Sequence, residues 1–107
     1  MGLADKRCVP CEGGVIPLFR PRAEELLKEV PDWQLSADAK SISRKFTFRN
    51  FKEALVFVNK IGSIAEGENH HPDISFGWGK AIVELSTHAI GGLSENDYIL
   101  AAKIDEL

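Results

Sequence analysis

No stretch of this chain approaches the ~20 consecutive apolar residues that a membrane-spanning helix needs. Nor does a secretory apolar segment follow Met1-Gly2-Leu3-Ala4-Asp5-Lys6. These two lacks lead to the expectation of a soluble intracellular protein, cytoplasmic, or organellar if a transit peptide has been removed. Gly2 lacks the Ser or Thr that a myristoylation site needs where Lys6 stands, and Ile104-Asp105-Glu106-Leu107 only resembles an ER-retention tetrapeptide. Excess positive charge is also missing. The net charge is -3 and the 13 basic residues are scattered rather than striped, which argues against direct binding to a nucleic-acid backbone. No Ser, Thr or Cys nucleophile sits in a recognisable elbow and no Gly-rich phosphate loop is present, so covalent catalysis and nucleotide binding recede.

Cysteine is scarce, and both copies lie in Cys8-Val9-Pro10-Cys11. As half of a zinc site this pair lacks a second Cys/His pair, and as a redox motif it lacks the strand-then-helix setting such motifs occupy. A reduced, partly exposed pair is the expectation. With Pro10, Gly13, Gly14 and Pro17 around it, the segment 1–20 reads as an irregular N-terminal arm.

What is present is enough for one folded domain over 21–107. The 107 residues, 44% hydrophobic and 27% charged, can bury a core without disulfide or metal staples. Pro21 to Val30 reads as a helix, with proline in its first turn, Ala23, Leu26, Leu27 and Val30 at helical spacing, and Pro31 as the stop. Trp33 to Ser36 and Ser41 to Phe48 alternate apolar and polar residues around an Ala37-Asp38-Ala39-Lys40 turn, and suggest an antiparallel hairpin.

Asn50 and Glu53 form a capping-box start for the longest helix. Its stripe of Phe51, Ala54, Leu55, Val58, Ile61, Ile64 and Ala65 should lie on a sheet, and Gly67 should end it. Ile74 to Trp78 and Lys80 to His88 read as a second hairpin turning near Gly77 and Gly79. Ala81, Val83, Leu85 and Thr87 share one face, and Ile82, Glu84, Ser86 and His88 share the other. Ser94 caps a last helix with Asp97 at its third position. The order is αββαββα, and the expected fold is α+β: a four-stranded antiparallel sheet with three helices packed on one face. The open face, with Ile82 and Phe76, should meet a ligand or another subunit, so a homo-oligomer is expected.

The chemistry concentrates in Glu66-Gly67-Glu68-Asn69-His70-His71-Pro72-Asp73, which holds two of the three histidines, while His88 ends the apolar strand that follows. Pro72 biases His71 to extended backbone, so neighbouring side chains point to opposite sides and do not converge on one ion. Imidazoles titrate near neutral pH, so one ring can accept a proton while another donates one. Proton transfer is the chemistry such a set offers.

Glu66, then His70-His71-Pro72, Trp78, Leu85-Ser86-Thr87-His88, Gly91-Gly92-Leu93-Ser94 and Asp97 together resemble the signature of the pterin-4a-carbinolamine dehydratases. The resemblance covers nearly the whole chain, including the Cys-x-x-Cys arm found in many bacterial and plant-type members. It implies a subunit of helix-strand-strand-helix-strand-strand-helix order, a homodimer or homotetramer, that removes water from 4a-hydroxytetrahydrobiopterin to give quinonoid dihydropterin for tetrahydropterin recycling. It implies His70 and His88 as the leading acid/base pair with His71 assisting. Ser86, Thr87 and Pro72 would line the pterin site, and Glu66 and Asp97 would hold the histidines or the ring amides. No cofactor or metal is implied.

Asp97 reads equally as a capping residue, Trp78 as core at a strand end, and Glu66 as a solvated helix residue. The chain departs from many members at Ala89, where an acid often follows the last histidine. It departs from animal members at Asn96, where they carry arginine, and from an aromatic at Ile74. Two competing readings share the family's fold: a dimerisation cofactor of a transcription factor, and a dehydratase-like protein of molybdenum-cofactor metabolism.

Overall fold

The computed structural model describes residues 2–9 and 16–107. Within the expected arm, Pro10, Cys11, Gly13 and Gly14 lie outside the described residues, so the Cys8/Cys11 pair is seen only at Cys8. Helix α1 spans Arg20–Leu27, β1 Gln34–Leu35, β2 Ile42–Thr47, α2 Phe51–Glu68, β3 Asp73–Gly77, β4 Lys80–Leu85 and α3 Glu95–Asp105. The four strands form one antiparallel sheet in the order β1-β2-β4-β3. This is the expected α+β arrangement, with additional short 3-10 turns at Leu3–Asp5 and His88–Ile90. No helix among the described residues is long and apolar enough to cross a membrane.

Period-2 burial on β4 orients the sheet. Ala81, Val83 and Leu85 are fully buried, while Lys80, Ile82 and Glu84 are exposed, so one face receives the helices and the other is open. On β2, Ile42, Arg44 and Phe46 share the inner face. Arg44 is tolerated there because its guanidinium lies 4.4 Å from the centre of the Phe46 ring and pairs with Asp105 at 2.6 Å. Asp105 also accepts the Trp33 indole N–H at 2.9 Å, which ties the end of α3 to both β1 and β2.

α3 is buried on nearly every side, with Asn96, Asp97, Tyr98, Ile99, Leu100 and Ala101 buried in succession. It is the helix around which α1, α2 and the sheet pack. At about 1.5–3 kcal/mol for each large side chain, its burial is a main part of the core. Tyr98 donates its hydroxyl to the Ala23 carbonyl at 2.9 Å and so fixes α1 against α3; burial, with the Asp97 charge beside it, pushes the phenol pKa up to about 12.

Three element ends and two burial positions differ from expectation. α1 ends at Leu27, because Lys28, Glu29 and Val30 donate to carbonyls three residues back and form tight turns before Pro31. α2 continues through Gly67 to Glu68, and Asn69, at φ 53 and ψ 40, is its left-handed cap. On α2 the buried stripe is narrower than the sequence pattern, since Ala54, Ile61 and Ala65 are buried but Phe51 and Leu55 are exposed. β4 stops at Leu85, and His88 begins a 3-10 turn instead of ending a strand. Trp78, in the turn between β3 and β4, is 71% exposed and is therefore not core.

Candidate active site

The left-handed Asn69 ends α2 by donating its N–H to the Ala65 carbonyl, and His70 N–H reaches the same carbonyl at 3.2 Å. This abrupt stop turns His70 inward onto the first turn of α3. Its side chain is only 11% exposed, and Nε2 lies 2.6 Å from Oδ1 of the fully buried Asp97. The other carboxylate oxygen, Oδ2, accepts the Ser94 backbone N–H at 3.0 Å and the Thr87 hydroxyl at 2.8 Å. Thr87 gives its only proton to Asp97, so the 2.8 Å contact between the Thr87 and Ser94 hydroxyls is donated by Ser94.

Asp97 thus has the capping role its position suggested and one of the two contacts the family resemblance implied. It caps α3 and it holds a histidine. A carboxylate that already accepts two protons on Oδ2 accepts Nε2–H on Oδ1, and in the neutral form of the ring that tautomer carries its lone pair on Nδ1. Nδ1 makes no hydrogen bond to the described residues.

The other two imidazoles are outside. His71 pairs with Glu66, and both are exposed. His88 Nε2 lies 3.6 Å from Asp73 Oδ2, again at the surface. Each histidine has a separate carboxylate, and among the described residues no three His, Cys, Asp or Glu side chains form a set that could hold a metal ion.

A cavity of about 300 Å³ joins the three rings. His70, His71 and His88 line it with Ser86 and Thr87, and also with Val9, Asn69, Ala89 and Asn96. Glu66, Pro72 and Asp97 do not line it: Asp97 stands behind His70 and Glu66 beside His71. The cavity lies beyond the end of β4 rather than on the open sheet face. Asn69 and Val9 were not foreseen. The first is marked only by its unusual backbone angle, and the second reaches the site through contacts distant in sequence.

The loop that carries His88 is closed by mutual hydrogen bonds between Thr87 and Gly92, and Gly91 takes a positive φ of 67° to end the 3-10 turn. Gly92 lies against Pro17, where an added Cβ would fall 2.8 Å from the proline Cβ, and Leu18 N–H donates to the Leu93 carbonyl at 2.9 Å. A shape-matched contact therefore sets the position of His88 from behind.

A family model described as Pterin 4 alpha carbinolamine dehydratase matches residues 17–107. A relative from Halorhodospira halophila, provisionally named pterin-4-alpha-carbinolamine dehydratase, is 57% identical over 107 residues, covering 100% of this chain and 98% of its own. Another from Rubrobacter xylanophilus, with the same provisional name, is 52% identical over 105 residues, or 98% and 97% of the two chains. Among solved structures, a transcriptional coactivator/pterin dehydratase from Brucella melitensis is similar with a TM-score of 0.79 at 29% identity, over 84% of this chain and 96% of its own. A pterin dehydratase-like protein identified as a RuBisCO assembly factor in the alpha-carboxysome shares the fold, with a TM-score of 0.61 at 20% identity over 70% of this chain and 87% of its own. With a family match over most of its length and full-length relatives at this identity, the chain belongs to the pterin-4-alpha-carbinolamine dehydratase family.

Proposed function

We propose that this protein dehydrates 4a-hydroxytetrahydropterins by general acid/base catalysis. The observation that carries the reading is the oriented chain Ser94–Thr87–Asp97–His70, ending at a cavity that two further histidines share. In the reaction the N5–H proton leaves, C4a=N5 forms, the C4a–O bond breaks, and the hydroxyl departs as water with a proton from an acid. One proton is taken and one given, so the balance is the quinonoid dihydropterin plus water. His70, with its Nε2–H held by Asp97, is the base through Nδ1. His88, open to solvent, is the acid, and His71 assists beside it. Ser86 and Thr87 contribute to the substrate-binding wall, with Pro72 fixing the backbone of the histidine pair. Glu66 and Asp97 act through the histidines they hold.

Self-association is part of this reading. Phe76, Trp78 and Ile82 are 38%, 71% and 40% exposed on β3, its turn and β4, and Phe51 packs against Phe76 with 5.7 Å between ring centres. The register pairs Phe76 with Ala81 and Ser75 with Ile82, so Phe76, with Phe51 against it, is on the helix side of the edge strand β3 and not on the open face as expected, while Ile82 is on the open face; a second copy of the chain would meet this edge and its apolar flanks. Light scattering should give the mass of a dimer or tetramer, and a purely monomeric mass at micromolar concentration would remove this part.

The activity itself is tested by generating 4a-hydroxytetrahydropterin in the presence of a chelator and following quinonoid dihydropterin formation. Acceleration well above buffer is expected. A folded protein that gives the buffer rate would overturn the enzymatic reading.

A further inference from the structure

We propose that Val9, fixed in place by Asn96, is a specificity-determining wall of the cavity that sets which ring substituent a 4a-hydroxytetrahydropterin can carry. The proposal rests on the dehydratase reading above. Its starting point is an unusual pairing. The Asn96 side chain accepts Val9 N–H on Oδ1 at 2.9 Å and donates Nδ2–H to the Val9 carbonyl, so one amide satisfies both main-chain groups of one residue as a neighbouring strand would. Asn96 is only 3% exposed, and both residues line the cavity. Asn96 is thereby committed to the arm, which makes it a positioning residue and Val9 the residue presented to substrate.

Among the described residues of the arm, positions 3 to 8 are held at several points. Leu3 is buried, Lys103 donates to the Ala4 carbonyl at 2.8 Å, Lys6 pairs with Glu95 at 2.8 Å, and Cys8 N–H donates to Glu68 at 2.8 Å. Two of these anchors adjoin the histidine machinery. Glu68 lies two residues before His70, and Asn96 immediately precedes Asp97, so the segments that orient the base also position Val9. The family match begins at residue 17, so all three histidines are inside it and residues 1–16 are outside, while the relative from Halorhodospira halophila aligns over both. The proposed chemistry therefore lies in the part the family model describes, and this part of the wall in a preceding segment that this relative shares.

Val9 can neither transfer a proton nor hydrogen-bond through its side chain, so it cannot serve the polar amide end of a pterin. It suits the substituent on the other ring, where size and shape decide fit. An apolar contact of this kind is worth about 10- to 200-fold in discrimination per methylene-sized change.

The test measures kcat and KM of the full-length protein, Val9→Trp and Asn96→Ala for two substrates, the 6-methyl compound and one with a long hydroxylated 6-substituent. Val9→Trp keeps the main-chain bonds to Asn96 and adds bulk. It should lower kcat/KM for the long-chain substrate at least about tenfold more than for the 6-methyl one. Asn96→Ala should release the wall, bring the two substrates closer together, and raise KM more than it lowers kcat. If the parent turns over and the ratio of the two kcat/KM values stays within about twofold in both folded variants, the proposal fails while the dehydratase reading stands. If the parent neither turns over nor retains 7,8-dihydropterin in equilibrium binding, the site reading itself fails, and this proposal with it.

Discussion

His70 Nε2 and Asp97 Oδ1 stand 2.6 Å apart across the junction of α2 and α3, with the carboxylate fully buried and the imidazole almost so. A buried carboxylate is costly unless its oxygens are satisfied, and here the Thr87 hydroxyl and Ser94 N–H do the remainder. Asp97→Asn keeps the shape but offers an N–H where Nε2–H now donates, which forces either the other His70 tautomer or a rotated ring. The expected result is a loss of about 10²-fold or more in kcat with a smaller change in KM, alongside a modest fall in melting temperature from the weakened α3 cap. Steady-state kinetics and thermal unfolding of the one variant separate the two effects.

Glu68 links pH to the arm. The Cys8 N–H, with Lys103 and Arg7 adding positive charge, holds its carboxyl below the usual glutamate value. A carboxyl lowered in the folded state contributes stability that is present above about pH 4.3 and is lost as pH falls through the lower folded value. The protection factor of the Cys8 amide, its exchange measured relative to the intrinsic rate at each pH, should therefore fall in acid before the core opens. Glu68→Gln should show that reduced protection already at neutral pH.

Tyr98 works at the other end of the scale. Its phenol is raised to about 12, so the neutral form is favoured in the fold. The associated stability is present below the unfolded value of about 10 and lost as pH rises toward 12. Tyr98→Phe should cost about 1–3 kcal/mol, because the buried Ala23 carbonyl loses its donor. It should also abolish most of the alkaline destabilisation seen in the parent by denaturant titration.

Gly92→Ala tests how His88 is held. The added methyl would meet Pro17 at 2.8 Å, so either the 17–19 segment or the His88 loop must move. A stability loss of about 1–3 kcal/mol is expected from such overpacking, together with lower kcat. Gly67→Ala, in the last turn of α2 where an added Cβ meets nothing within 4 Å, should leave stability within about 1 kcal/mol of the parent or raise it.

Much of the fold could be read from local patterns. The Asn50 and Ser94 caps, the period-2 burial on β4 and the apolar spacing in α2 are each written within a few residues, and the structure places an element at each. The His70-His71 pair is equally local, whereas its sharing a cavity with His88 depends on the path of β3 and β4 between them. Chain ends and long-range pairings were less so. Phe51 and Leu55 fit the α2 stripe but are left exposed, and only the assembled layers show that. In the α2 start, Glu53 reaches back to Arg49 N–H rather than to Asn50, a choice of partner that spacing alone does not make. Asn96 and Val9 are 87 residues apart, and no periodicity connects an arm to a helix at that distance.

The proposal that His70 acts as a base because Asp97 orients it makes a sharp prediction for a double-mutant cycle. kcat for 4a-hydroxytetrahydropterin dehydration would be measured in the parent, His70→Ala, Asp97→Asn and the double variant, all checked for the same oligomeric mass. If Asp97 works through His70, each single change lowers kcat by about 10²-fold or more and the double variant is no worse than His70→Ala. Losses that multiply in the double variant would contradict the account, and would place Asp97 in a role independent of the imidazole it touches.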